Sequence, residues 1–162
     1  MKPIDALADR LPPTATRVER RTRHQRQRVL RARDDARITS YESATPDEIT
    51  RRLCDLDREW EIERVLQANA GTLALVGTLL GLGRDRRFLL VPTVVFGFFL
   101  QHGLQGWCPP IPLFRRLGVR TSREIERERY ALKALRGDFE QLPPPGAAPE
   151  ERVRAVLRAV DA

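Results

Sequence analysis

Six residues within nine positions carry the only concentrated chemistry in this chain: Gln101, His102, Gln105, Trp107, Cys108 and Pro109. An imidazole flanked by two amides could relay a proton or hold a polar ligand. A cysteine on a proline turn could act as a thiolate in redox or sulfur-transfer chemistry, if Arg115 or Arg116 approached to stabilise the charge. Each reading meets a plainer one. No carboxylate stands near His102 in sequence to poise it, and polar side chains at the end of an apolar segment also suit an interface with water. Cys108 has no second cysteine or base beside it, and a small, soft residue packs well at a helix end. No nucleophile elbow, zinc-binding helix motif or phosphate-binding glycine loop occurs, and His24 and His102 lie far apart. The expectation is a chain that is not an enzyme and holds no metal or cofactor, with Cys108 chemistry as the alternative.

What must position this cluster is an apolar segment. Residues 88–107 form a run of twenty whose only ionisable side chain is His102, and residues 65–83 form a run of nineteen without a charge. Between them stand Arg84, Asp85, Arg86 and Arg87, the only charged residues from Val65 to Phe114. A bilayer core about 30 Å thick needs roughly 20 helical residues, so each run is long enough to cross. Two central helices this apolar in a soluble domain would need a shell of amphipathic helices, and the flanks supply only three short candidates. The reading is therefore an all-α membrane protein built on a two-span transmembrane helical hairpin. Gly83 is expected to cap the first helix and Asp85 to start the second, with a kink at Pro92. Trp107 falls at the aromatic belt, and Pro109 and Pro110 stop the helix there.

Lipid tails give helices no hydrophobic reason to associate, so small residues and interhelical hydrogen bonds must hold the spans. Ala70, Ala74, Gly77, Thr78 and Gly81 share one face of the first span. Thr93, Gly97, Gln101 and Gln105 recur at every fourth residue of the second. The economical expectation is that these two lines face each other, with a homodimer through one of them left open.

The flanks are charged. Residues 1–44 read as a basic, flexible N-terminal tail, in which 14–37 hold nine arginines and too few aliphatic residues to build a core, and so are either disordered or a solvated helix. The first residues lack the apolar core of a cleaved signal peptide. Residues 45–64 read as an amphipathic juxtamembrane helix: Thr45, Pro46 and Glu48 form a start signal, and Ile49, Leu53, Leu56 and Trp60 fall on one face. That face suits a membrane surface or a helix bundle equally. Residues 108–142 read as a proline turn and a basic helix from Ser122 to about Arg136, stopped by Gly137. Residues 143–162 read as a proline-rich linker and a short terminal helix.

The net charge is +7, nearly all from arginine. Such an excess suits nucleic acid or an anionic membrane surface, and the two spans favour lipid headgroups over nucleic acid as the partner. Orientation follows from arginines near the span ends. Arg51, Arg52, Arg58 and Arg64 precede the first span, and Arg115, Arg116, Arg120 and Arg123 follow the second, eight against three in the loop. Both termini are therefore expected in the cytoplasm.

The segment "REWEIERVL", the two short spans, and "GWCPP" followed by "LGVRT" resemble the YgaP-like transmembrane domain family, bacterial inner-membrane hairpins of unknown function. The resemblance covers roughly residues 58–121. It implies an inner-membrane location and marks Cys108 as the family's motif cysteine. Some members carry a cytoplasmic rhodanese (sulfurtransferase) domain, for which the remaining residues here are too few. The expected role is a non-enzymatic scaffold or accessory subunit with an unidentified membrane-protein partner.

Overall fold

In the computed structural model, Pro13 and residues 16–162 are described. Residues 1–12, 14 and 15 of the tail expected over residues 1–44 lie outside them. The regular secondary structure of the described residues is all helical, without strands: α1 (Arg17–Arg21), α2 (His24–Thr39), α3 (Pro46–Arg58), α4 (Ile62–Gly83), α5 (Leu90–Gln105), α6 (Ile111–Leu117), α7 (Ser122–Arg136) and α8 (Pro149–Asp161). A 3-10 turn, Arg86–Leu89, leads into α5. The chain divides into two compact units, Met1–Leu30 with Trp60–Arg123, and Arg31–Glu59 with Glu124–Ala162.

The first unit is built on α4 and α5; α4 lies within one, and α5 with its leading 3-10 turn forms the other, of two helical stretches long and apolar enough to cross a membrane. The 22 residues of α4 span about 33 Å at about 1.5 Å per residue. One face of α4 is buried: Ile62, Leu66, Ala70, Ala74, Gly77 and Gly81. The approach to the next element is close. A Cβ on Gly77 would stand 2.8 Å from the Val91 Cβ and 2.9 Å from the Pro92 Cδ, and one on Gly81 would stand 2.6 Å from a Leu89 methyl.

The partner face differs from the one expected. Thr93, Gly97 and Gln105 are exposed and Gln101 is half-buried, whereas Pro92 and His102 are buried and Val95 and Phe99 half-buried. Thr93 follows Pro92 by one residue, about 100° around the helix, so the line through residues 93, 97, 101 and 105 starts off the contact. Steps of three, four and three, from Pro92 through Val95 and Phe99 to His102, stay on it. The kink expected at Pro92 is not required either. Because α5 begins at Leu90, Pro92 is its third residue, where a backbone N–H has no intrahelical partner to lose. Gly83 is simply the last helical residue, while Asp85 does start the next turn, its carboxylate accepting the Arg87 N–H at 2.9 Å.

Two further expectations change. The helix expected over residues 45–64 breaks, because α3 ends at Arg58 and Glu59 and Glu61 are extended. The Ile62 N–H, which a continuous helix would give to Arg58, goes to the Arg120 carbonyl at 2.8 Å. Trp60 consequently leaves the α3 stripe and is exposed, with the Arg64 guanidinium 4.4 Å above its ring. Residues 17–39, expected as part of a flexible tail, form α1 and α2. Val18 is buried with Ile62, Leu66, Cys108 and Ile111, with Phe99, Phe114 and Val119 packed around them.

In the second unit the α3 start signal forms as a capping box, with Thr45 and Glu48 exchanging hydrogen bonds. The α3 stripe is a bundle face: Ile49, Leu53 and Leu56 are buried together with Ile125 and Leu132 of α7. Between those two α7 residues lies Glu128, fully buried and bound by Arg52 at 2.8 Å and Arg37 at 3.0 Å. Gly137 ends α7 with a φ of 89°, in the left-handed region glycine reaches most easily. The terminal helix α8 turns Val153, Val156 and Leu157 outward.

Candidate functional site

Helix α5 stops at Gly106, whose φ of 70° would strain any other residue. The stop is doubly specific to glycine, because a Cβ there would meet the Arg17 side chain at 2.5 Å. Gly106 thus lets α1 lie across the end of the apolar pair and brings Arg17 to it.

Arg17 completes a polar cluster. Its guanidinium donates to the Gly103 carbonyl at 3.2 Å and to Glu63 Oε1 at 3.1 Å. The other Glu63 oxygen lies 2.7 Å from His102 Nε2. The arrangement matches the helix dipoles: the carboxylate sits in the first turn of α4, and the guanidinium reaches a carbonyl in the last turn of α5. His102 is 3% exposed. Its Nδ1, the Arg17 Nε and the Thr16 Oγ1 are buried without a protein partner. A dry, unpaired polar atom costs about 1–3 kcal/mol, so this end of the pair suits a boundary where water enters. Glu63 supplies the carboxylate that the immediate sequence around His102 lacks.

The other singled-out residues separate. Gln105 and Pro109 are exposed, and Trp107 stands edge-on to Phe98 with ring centroids 6.5 Å apart. Cys108 is buried in the apolar cluster of Val18, Ile62, Leu66 and Ile111. Burial pushes its thiol above the ordinary range, opposite to what a reactive thiolate needs. Arg115 does not serve it. That side chain is itself buried, donating to the Val119 carbonyl at 2.9 Å and to Gln27 Oε1 at 3.1 Å.

Beside the polar cluster, α1, α2 and α6 enclose a groove of about 510 Å³. Five arginines line it: Arg21, Arg23, Arg26, Arg115 and Arg116. Val29, Trp107, Ile111 and Pro112 supply an apolar wall. Arg26 ties the walls together, donating from Nε to the Arg115 carbonyl at 3.2 Å and from its terminal nitrogen to the Arg116 carbonyl. These are carbonyls of the last turn of α6, which a cation stabilises. The groove draws on residues 21–29, a stretch whose arginine density argues for solvation in sequence alone. Val18 and Leu30, both buried, are the faint signals that this stretch packs. Among the described residues no group of three or more His, Cys, Asp or Glu side chains is placed to hold a metal ion. No family model matches this chain, and no curated protein or solved structure matches it.

Proposed function

We propose that this chain is an integral protein of the bacterial inner membrane, in which α4 and α5 cross the bilayer as a hairpin. The observation that carries the reading is the outward face of the pair. Only 22% of the first apolar stretch and 11% of the second is buried, whereas the core helix of a soluble protein is mostly buried. Fifteen large apolar side chains between Leu73 and Leu104 are exposed. Covering each half-exposed one recovers about 1 kcal/mol, and the set recovers an amount comparable to the net stability of a domain. Something apolar must cover them, and lipid does so around both helices at once.

Within this reading α4 enters at Glu63, the loop at Arg84–Arg87 emerges on the far side, and α5 returns to Gly106. Both termini are cytoplasmic, where α1, α2 and α6 present arginines to anionic headgroups. The role is that of a non-enzymatic scaffold or accessory subunit. Burial of Cys108 in an apolar cluster speaks against the thiol-based alternative. The line Thr93, Gly97, Gln101 and Gln105, left outside the pair, is the surface available to a second copy or to another membrane protein. The same architecture is what the resemblance to the YgaP-like family implies. The protein should remain with membranes through alkaline carbonate washing, and full release into the supernatant would contradict the reading.

A further inference from the structure

We infer that the groove between α1, α2 and α6 binds the phosphate of an anionic phospholipid, with the start of an acyl chain against its apolar wall. The inference rests on the membrane reading and adds to it a defined, saturable site.

The charge distribution is the first argument. Arg26 and Arg115 are committed to backbone carbonyls and Gln27. Arg21, Arg23 and Arg116 are exposed at the groove, and among the described residues no carboxylate lines it or pairs with any of the three. Several arginines elsewhere in the fold are matched, as Arg17 is with Glu63 and Arg52 and Arg37 are with Glu128. Three unmatched guanidinium groups around one concavity repel one another unless an anion enters, and each can take two oxygens of a phosphate at once.

The apolar wall selects among anions. A free phosphate ion would use only the arginines and leave Val29, Trp107, Ile111 and Pro112 without a partner. A nucleic-acid strand stacks on a run of aromatics, and the groove's lining has a single aromatic side chain, Trp107. An amphiphile uses both walls. The volume falls within the range of small-molecule sites, enough for a glycerophosphate head and its first methylene groups. Trp107 directly follows the end of α5, so the groove opens where the span leaves the hydrocarbon and headgroups begin.

The test is native mass spectrometry of the full chain in detergent, offered phosphatidylglycerol or phosphatidylcholine of the same chain length. The wild-type protein should retain one phosphatidylglycerol in preference to phosphatidylcholine. An Arg21→Gln, Arg23→Gln, Arg116→Gln variant should lose that preference by roughly tenfold or more. The equally discharged Arg84→Gln, Arg86→Gln, Arg87→Gln variant should keep it. Val29→Asp should weaken retention, and excess inorganic phosphate should not displace the lipid. Equal retention of the two lipids by the wild-type protein would overturn the proposal without recourse to any variant. So would equal loss in the loop variant, displacement by inorganic phosphate, or stronger binding of a short oligonucleotide. Release from membranes by carbonate would sink the membrane reading instead; retention through that wash without lipid preference sinks the groove alone.

Discussion

Glu63 and His102, thirty-nine positions apart, meet at 2.7 Å across the mouth of the apolar helix pair, the carboxylate at the start of α4 and the imidazole in the last turn of α5. With Arg17 on the other carboxylate oxygen, the contact locks the end of the pair opposite the loop. Removing Glu63 leaves a buried imidazole without its partner and the half-buried Arg17 guanidinium with the Gly103 carbonyl alone. Glu63→Ala should destabilise the detergent-solubilised protein by about 1–3 kcal/mol. A double-mutant cycle of Glu63→Ala with His102→Ala should show the two costs to be non-additive. Additive costs would mean that the two side chains do not act as a pair.

The glycine ridge gives a selective prediction. Gly77→Leu and Gly81→Leu should each lower thermal stability in detergent, since a Cβ at either position already lies under 3 Å from Val91, Pro92 or Leu89. Gly97→Leu is the internal control, because nothing lies within 4 Å of a Cβ there. Equal losses at residues 77, 81 and 97 would contradict the packing.

The cysteines should differ in reactivity. Cys54 is exposed and Cys108 buried, with the Cys108 thiol pushed up by that burial. At pH 7 a maleimide should modify Cys54 rapidly and reach Cys108 only after unfolding. Rapid modification of Cys108 in the folded protein would reopen thiol chemistry.

Asp138 supplies a pH dependence. Hydrogen bonds from Arg136, at 2.7 and 2.8 Å, hold its carboxyl below the ordinary value of 3.8. A depressed folded pKa contributes stability that is complete above 3.8 and fades as pH falls through the lower folded value. Asp138→Asn should therefore cost about 1 kcal/mol or less at pH 7, with the difference from wild type vanishing in strong acid. Urea titrations of both proteins at pH 7 and below pH 3 would measure it. A difference that grows on acidification would contradict the sign.

What could be read from the sequence followed from patterns confined to one helix. The lengths of the two apolar runs, the Thr45–Glu48 capping box, the α3 stripe and the Gly137 stop each depend on residues within a few turns. Partners from separate elements were not readable in the same way. Glu63 falls in the stretch that reads as a charged juxtamembrane helix, though a pair of helices folded back at residues 84–87 must bring the start of one level with the end of the other. The second small-residue line lies off the contact because small size alone does not say which face of a helix meets its partner. Glu128 was recoverable in principle: its offsets of three from Ile125 and four to Leu132 put it on the buried stripe, where a carboxylate requires cationic partners. The arginine-rich stretch of α1 and α2 reads as disordered or as a solvated helix, because density of charge says nothing about pairing. Arg17, Arg26 and Arg37 each find fixed acceptors far along the chain.

The central claim, that α4 and α5 carry the chain across a membrane and back, is tested most directly by site-specific labelling. In a background of Cys54→Ser and Cys108→Ser, the Asp85→Cys and Ser40→Cys variants are exposed to a membrane-impermeant maleimide in intact bacterial cells. The account expects Asp85→Cys to be labelled from outside and Ser40→Cys to react only after permeabilisation. Ser40→Cys labelled with Asp85→Cys protected would show the hairpin inserted the other way round. Identical protection or identical labelling of the two would contradict the crossing itself.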